Sequence, residues 1–417
     1  METKMQEKNI SANELEQCVK CTVCTAYCPV LKVSVIYPGP KQSGPDGERY
    51  RLKSSLFMDN NIKYCLNCKR CEVVCPSGVK IADIIHSARE TYGRQIPKVR
   101  DFILASTDLM GSVASPFAPV VNAVTGLGAT KFVLDKVMAI DHRRTFPKYS
   151  GTKFETWFRK EAAPVQGTFK KRVSYFHGCY VNYNYPQLGK DFVTLMNALG
   201  VGVDLLEKER CCGVAKISSG MFDTARKHAR INIASMEKAM SDGRKVLTTS
   251  TTCTLTMKDE YPDILGLDNT SVKDGIVLAI RYIYEMLEKG EAKIAFKEGY
   301  RARAAYHVPC HMEKMGLSIF TRKLLKMIPG MELVSLDSNC CGIAGTYGFK
   351  KENYARSQAI GKALFDNINA VNPDFVACEC ETCKWQIEMS TAYKVKNPVS
   401  ILAEAVDIEK TKKLNNA

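Results

Sequence analysis

The sequence predicts an α+β multidomain chain, with an N-terminal all-helical domain followed by two repeated α/β units. Three observations predict it. Eighteen cysteines fall in four groups along the 417 residues. The last two groups repeat one spacing, which marks an internal duplication. Within that duplicated half, short apolar β-type runs alternate with helical patterns, as in α/β units with a mostly parallel sheet.

A chain of this length holds two to four cores, and 45% hydrophobic with 25% charged residues is a globular composition. The first residues, METKMQEKNISANELEQC, lack the apolar run and cleavage site of a signal peptide. The cysteines are therefore expected to be thiolate ligands and not disulfides. Only six histidines accompany them, so sulfur carries the metal binding, which points to iron–sulfur or zinc. The formal charge of +15 suits nucleic acid, an anionic membrane or an acidic partner. Basic and acidic residues are interspersed and no nucleic-acid-binding pattern occurs, so nucleic acid is excluded as a partner. Each oxidised four-thiolate cubane adds about −2, so part of the positive charge compensates buried anionic centres.

Residues 1–100 form the first region. Cys18-x2-Cys21-x2-Cys24-x3-Cys28-Pro29 and Cys65-x2-Cys68-x2-Cys71-x3-Cys75-Pro76 repeat the bacterial two-cluster ferredoxin pattern. In that pattern three close cysteines hold one cubane and the fourth ligates the other. Cys18, Cys21, Cys24 and Cys75 are thus the expected ligands of a first [4Fe–4S] cluster, and Cys28, Cys65, Cys68 and Cys71 of a second. Zinc knuckles would use Cys-x2-Cys pairs but give no reason for the repeated Cys-Pro. The 36 residues between Cys28 and Cys65 are too many for a compact ferredoxin hairpin. Arg49–Met58 within them reads as helix, which favours the all-helical ferredoxin variety.

Residues 101–165 contain no cysteine, and Leu109–Thr130 carries no charge. Pro116, Pro119 and Asn122 argue against a transmembrane helix. Basic and aromatic residues follow, in Lys131–Ile140, His142–Tyr149 and Phe154–Lys160. Such a segment either docks at a membrane interface or packs between domains.

Residues 166–300 and 301–417 are the two copies of one unit. Cys179, Cys211-Cys212-Gly213 and Cys253 in the first match Cys310, Cys340-Cys341-Gly342 and Cys383 in the second. The second Cys of each pair lies 41 and 42 residues before the last Cys of its unit. The cysteines fall after strand-like runs, where open α/β sheets place ligands. Gly275–Leu287 reads as one helix. The second copy adds Cys380 for a five-cysteine set, the expected site of a third cluster. The first has Ser250 at that position, and its four cysteines leave a fourth cluster open. Cys378 is left over and expected in the core. His307 and His311 flank Cys310, and each reads as a satisfied loop histidine in preference to a proton donor. Gly342–Lys350 lacks the frame of a phosphate loop and reads as a tight turn. No dinucleotide fingerprint occurs.

Taken together, these motifs resemble the iron–sulfur subunits of glycolate and lactate oxidation systems and of heterodisulfide reductase. The runs YPGPKQSGPDGER, DLMGSVASPFAPVVN, DHRRTFPKYS, PCHMEKMG and CCGIAGTYGFKKENY are similar to the iron–sulfur subunit family of bacterial anaerobic glycerol-3-phosphate dehydrogenases. The resemblance implies an electron-transfer subunit without dehydrogenase activity of its own. It implies the dehydrogenase's two flavoprotein subunits as partners, the quinone pool as acceptor, and a peripheral position on the cytoplasmic face of the inner membrane. From the heterodisulfide reductase relatives it implies a non-cubane cluster on Cys310, Cys340, Cys341, Cys380 and Cys383. A glycolate, lactate or heterodisulfide system is the alternative.

Overall fold

The computed structural model describes residues 15–54, 60–92 and 98–415. Its N-terminal part is helical, with no strand among the described residues up to Tyr92. The helix Ile81–Tyr92 buries Ile81, Ala82, Ile84, Ile85 and Ala88 against Leu15, Ile62 and Val79. Cys24 and Cys71 belong to the same small core, so the two N-terminal cysteine motifs are packed into one body with this helix. Of the expected helix over 49–58, Gly47–Lys53 forms, and 55–59 lie outside the described residues.

Each repeat is a four-stranded parallel sheet. In the first, β1 (Lys171–Phe176), β2 (Val201–Leu205), β3 (Val246–Thr248) and β4 (Ile276–Leu278) lie in the order β2-β1-β3-β4. In the second, β5 (Ala302–Tyr306), β6 (Met331–Ser335), β7 (Phe375–Ala377) and β8 (Val395–Lys396) lie in the order β6-β5-β7-β8. The registers match as well: Tyr175 pairs with Leu247 as Tyr306 pairs with Ala377. β4 corrects the sequence reading, since Ile276–Leu278 is strand and the helix starts at Ala279. A short apolar run on a buried edge carries no period that separates strand from helix.

The two units share one core. Val173, Tyr175, Phe192 and Leu195 of the first pack in the same cluster as Ala304, Tyr306, Leu324 and Ile401 of the second. The contact is pseudo-twofold: Pro186–Ala198 packs on Pro398–Ala405, and Ser318–Lys326 packs on Ala279–Glu288. Phe154 and Phe158, in the flank read from sequence as either docking at a membrane or packing between domains, are buried in this core. The ring of Phe154 lies edge-on to Tyr175, so the first unit begins structurally before residue 166.

The connector forms the helices Thr107–Ala114, Ala118–Gly126 and Gly128–Met138. Gly111 lets the first lie directly on Tyr183, where a Cβ would sit 2.4 Å from the ring. Its larger apolar residues point outward: Val113 is 59% exposed, Phe117 65%, Val120 64%, Phe132 58% and Val137 78%. Inter-domain packing thus uses the small residues and leaves the large ones to solvent. Among the described residues no single helix is long and apolar enough to cross a membrane. The bent pair Thr107–Gly126 and Gly128–Met138 turns through 83°.

Candidate metal centres

The two N-terminal motifs adopt the same backbone. Lys20 and Thr22 flank Cys21 with φ of 59° and 64°, and Asn67 and Lys69 flank Cys68 with φ of 54° and 61°. Four non-glycine residues in the left-handed region cost about 1–2 kcal/mol each. Alternating handedness turns successive amide N–H groups to one side, a concavity suited to an anion. The N–H of Asn67 points at Cys65 Sγ (3.5 Å) and that of Val79 at Cys75 Sγ (3.3 Å).

The fourth cysteine of each motif meets the other motif. Burial raises the Cys24 thiol, and the charges of Cys18, Cys75 and Cys21 beside it raise it further. Cys28 is pushed up to about 12 by burial, with Cys68 and Cys65 facing it. Cys28, Cys65, Cys68 and Cys71 line one pocket together with Tyr37 and Lys69. Lys69 is buried between Asp83 and Glu72, a cation held beside the second sulfur group. Cys21 is exposed, so the first group opens to solvent.

In the C-terminal unit the sulfurs gather at the carboxyl end of the sheet, as the strand order dictates. Cys310 opens a helix after β5, Cys340 and Cys341 lie on the turn after β6, and Cys380 and Cys383 follow β7. Cys341 and Cys383 sulfurs are 3.2 Å apart without a disulfide, and none of the eighteen cysteines is disulfide-bonded. The Gly342 N–H points at Cys340 Sγ at 3.4 Å. Hydrogen bonds from Cys340 and Cys383 hold Cys341 down at about 5, and one from Cys383 holds Cys380 down at about 6. Thiols that share protons this way are ready metal donors. The imidazole of His311 meets the Asn67 carbonyl at 3.1 Å through Nε2, while its buried Nδ1 has no partner, so the expectation of a satisfied histidine holds for one nitrogen only. His307 departs from that expectation: it is buried, neither nitrogen has a partner, and burial pushes it down to about 3. Cys378 is buried, as expected of a core residue.

In the N-terminal unit Cys179, Cys211, Cys212 and Cys253 also converge. Cys179 and Cys211 sulfurs are 3.9 Å apart, and Cys212 bonds both Cys211 and Cys253. Ser250 occupies the place of Cys380 but faces elsewhere. Its hydroxyl accepts the Cys253 N–H (3.3 Å) and donates to the Glu381 carboxyl at 3.1 and 3.0 Å. Burial, with Cys380 beside it, raises Glu381 to about 8. A hydroxyl from outside the unit also meets its sulfurs: Thr107 of the connector donates to Cys179 (3.3 Å) and Cys211 (3.5 Å). Sequence reasoning missed Thr107, because nothing local ties residue 107 to residue 211.

The four groups form one series. Cys28, Cys65, Cys310 and Cys340 pack in one cluster, so the second N-terminal group abuts the C-terminal unit. Thr252 of the N-terminal unit lies 3.7 Å from Cys380 Sγ. Cys253 and Cys380 line a common pocket between the units, with Tyr180, Ser250, Glu381 and Lys384. Arg70 fixes the N-terminal domain through Glu313 (3.2 Å), Ser338 Oγ (2.8 Å) and the Ser338 carbonyl (3.0 Å). Lys80 meets Asp263 at 2.7 Å, and Lys314 meets Glu72 at 2.9 Å. Converging free thiols with amide donors aimed at sulfur fit iron–sulfur centres.

Comparisons with known proteins agree. A 4Fe-4S dicluster domain model matches residues 14–79, and a cysteine-rich domain model matches 173–258 and 304–388. The chain is 25% identical over 411 residues to the glycolate oxidase iron–sulfur subunit of Escherichia coli (strain K12), covering 95% of each chain. It is 24% identical over 447 residues to the D-type subunit of the dihydromethanophenazine:CoB–CoM heterodisulfide reductase of Methanosarcina barkeri, covering 96% of this chain and 97% of that one. Against the C-type subunit of the anaerobic glycerol-3-phosphate dehydrogenase of Escherichia coli (strain K12), identity is 54% over 392 residues, covering 94% of this chain and 98% of the relative. The expected helical domain and two α/β cysteine-rich units are therefore present, the chain carries multiple iron–sulfur clusters, and it belongs to the family of C-type, iron–sulfur subunits of anaerobic glycerol-3-phosphate dehydrogenase.

Proposed function

We propose that this chain is the electron-transfer subunit of a quinone-linked glycerol-3-phosphate dehydrogenase, receiving electrons from flavoprotein subunits and passing them toward the quinone pool. The observation that carries this reading is the succession of sulfur groups, joined between the two repeated units by the Thr252 hydroxyl 3.7 Å from Cys380 Sγ. It runs from solvent-open Cys21, through Cys68 and Cys310, to Cys211 and Thr107 at the root of the apolar connector. Bound iron–sulfur clusters supply one-electron redox chemistry. In this reading Cys18, Cys21, Cys24 and Cys75 hold one [4Fe–4S] cluster, and Cys28, Cys65, Cys68 and Cys71 hold another. Cys310, Cys340, Cys341, Cys380 and Cys383 hold a third, non-cubane centre. Cys179, Cys211, Cys212 and Cys253 offer a four-sulfur fourth site with Thr107 as its hydrogen-bond donor. The surrounding residues exclude water and set potentials through N–H and O–H bonds to sulfur.

The exposed apolar rim Val19, Val23 and Tyr27 beside Cys21 suits the flavoprotein partner. The outward face of Val113, Phe117, Val120, Phe132 and Val137, with Lys131 and Lys136 beside it, suits peripheral docking on the cytoplasmic face of the inner membrane. The test is anaerobic reconstitution with the flavoprotein subunits of glycerol-3-phosphate, glycolate and lactate systems. Reduction of this chain's clusters by glycerol 3-phosphate, followed by reoxidation with a quinone, is the expected result. Reduction only with glycolate or lactate assigns the chain to those systems, and disulfide reduction by the chain alone makes it an enzyme. A colourless zinc protein overturns the relay altogether.

A further inference from the structure

His307 and Cys378 stand outside the ligand sets above, yet the fold delivers both to Cys383. His307 directly follows β5 and Cys378 directly follows β7, and these strands are neighbours in the sheet. One imidazole nitrogen of His307 and the sulfurs of Cys378 and Cys383 lie within 4.8 Å of one another, all three residues buried. His307 is wholly enclosed, and neither ring nitrogen has a hydrogen-bond partner. An imidazole carries one donor and one acceptor, and enclosing it unpaired is unfavourable unless something else meets its lone pair. A nitrogen and two sulfurs converging in an enclosed space form a metal donor set. The duplicated unit is the internal control. Phe176 holds the place of His307 there and Thr248 the place of Cys378, and these two are in-register neighbours of β1 and β3. The N-terminal unit, with the smaller sulfur set, carries neither donor.

We propose that His307, Cys378 and Cys383 hold one iron of the C-terminal centre, with Cys383 shared between this trio and the other four cysteines. The proposal rests on the reading of the C-terminal unit as an iron–sulfur site, and it enlarges the donor set from five residues to seven. The imidazole offers its lone pair, and Cys378 gives up its thiol proton on binding.

The test uses the full-length chain purified anaerobically with its iron, from cells supplied with histidine labelled in heavy nitrogen. Pulsed EPR of the C-terminal centre is expected to show the nitrogen coupling of a directly bound imidazole, changed in kind by the label. His307→Phe and Cys378→Thr, which install the residues of the N-terminal unit, are expected to lower the iron content. His307→Phe also abolishes the coupling. The signals of the two [4Fe–4S] clusters stay unchanged in both and report that the chain has folded. A C-terminal centre present without nitrogen coupling overturns the proposal alone, as does unchanged iron content in both variants. A wild-type chain showing only the two [4Fe–4S] signals overturns the proposal and the reading beneath it.

Discussion

The glycines of the two Cys-Cys-Gly turns are not equivalent, and substituting each by alanine separates two physical requirements. Gly213 has φ +97° and Gly342 φ +84°, so a side chain at either position incurs the left-handed cost of about 1–2 kcal/mol. There the likeness ends. A Cβ on Gly213 would meet Ala225 Cβ at 3.5 Å, an ordinary contact. A Cβ on Gly342 would stand 2.1 Å from the Ser357 carbonyl oxygen and 3.1 Å from the Gly361 N–H, both in the helix Tyr354–Val371. The overlap is with backbone, so a rotamer change cannot relieve it. The helix would have to retreat by about 1.3 Å to restore ordinary contact. Overpacking of this kind adds about 1–3 kcal/mol, for a total near 2–5 kcal/mol. The displaced turn bears Cys340 and Cys341. Gly342→Ala is therefore expected to lose the C-terminal centre, read by iron content and EPR, and to unfold at lower temperature. Gly213→Ala is expected to keep its centres, with a stability loss of about 1–2 kcal/mol. Equal loss in both variants, or an intact C-terminal centre in Gly342→Ala, refutes the reasoning.

Three further outcomes are expected. Thr107→Val removes the O–H donor to Cys179 and Cys211 at constant shape. A redox titration should find any centre on those sulfurs at a more negative potential, with a stability change of about 1 kcal/mol. Arg70→Met breaks the contacts to Glu313 and Ser338, leaving the Glu313 carboxyl only its 2.8 Å bond from the Ser338 hydroxyl and the Ser338 carbonyl without the guanidinium. Discounted for the exposure of Glu313, the loss is about 1–3 kcal/mol, seen as faster hydrogen exchange in Arg70–Val73 and in Cys310–Met315. Phe117→Ser with Val120→Ser and Val137→Ser should abolish flotation with anionic liposomes at unchanged iron content, because these side chains already face solvent.

The sulfur groups were legible in the sequence because their order along the chain is the order of strand ends. Once the Cys-Cys-Gly spacing is seen twice, the parallel sheet follows, and so does the alignment of Ser250 with Cys380. What the sequence did not show is what other elements bring to those ends. Thr107 reaches Cys211 across 104 residues, and Arg70 reaches Ser338 across 268. Neither contact leaves a local pattern. His307 looked like a loop residue because its neighbours resemble a loop, and only the packing of β5 against β7 encloses it. Phe154 looked interfacial because its flanks are basic, although its ring is wholly buried beside Tyr175. Short-range pattern reports which face a residue has, and not what covers that face.

The divergence between the two units is concentrated where they meet. Ser250 and Glu381 form a hydrogen-bonded pair across the interface, and the Thr251 N–H beside them donates to the Glu379 carbonyl at 3.3 Å. Thr251 is itself the positional counterpart of Glu381, so one pseudo-twofold position carries a hydroxyl in one unit and a carboxyl in the other. An interface symmetric in the residues of the C-terminal unit would set a cysteine against each of two buried carboxyls. That replaces a good hydroxyl donor by a weak thiol one and leaves Glu381 poorly met. Ser250 is thus better understood as the partner that Glu381 requires than as a cysteine lost. The smaller sulfur set of the N-terminal unit and the specific pairing of the two units then have one cause, the need of the enclosed carboxyl for a donor.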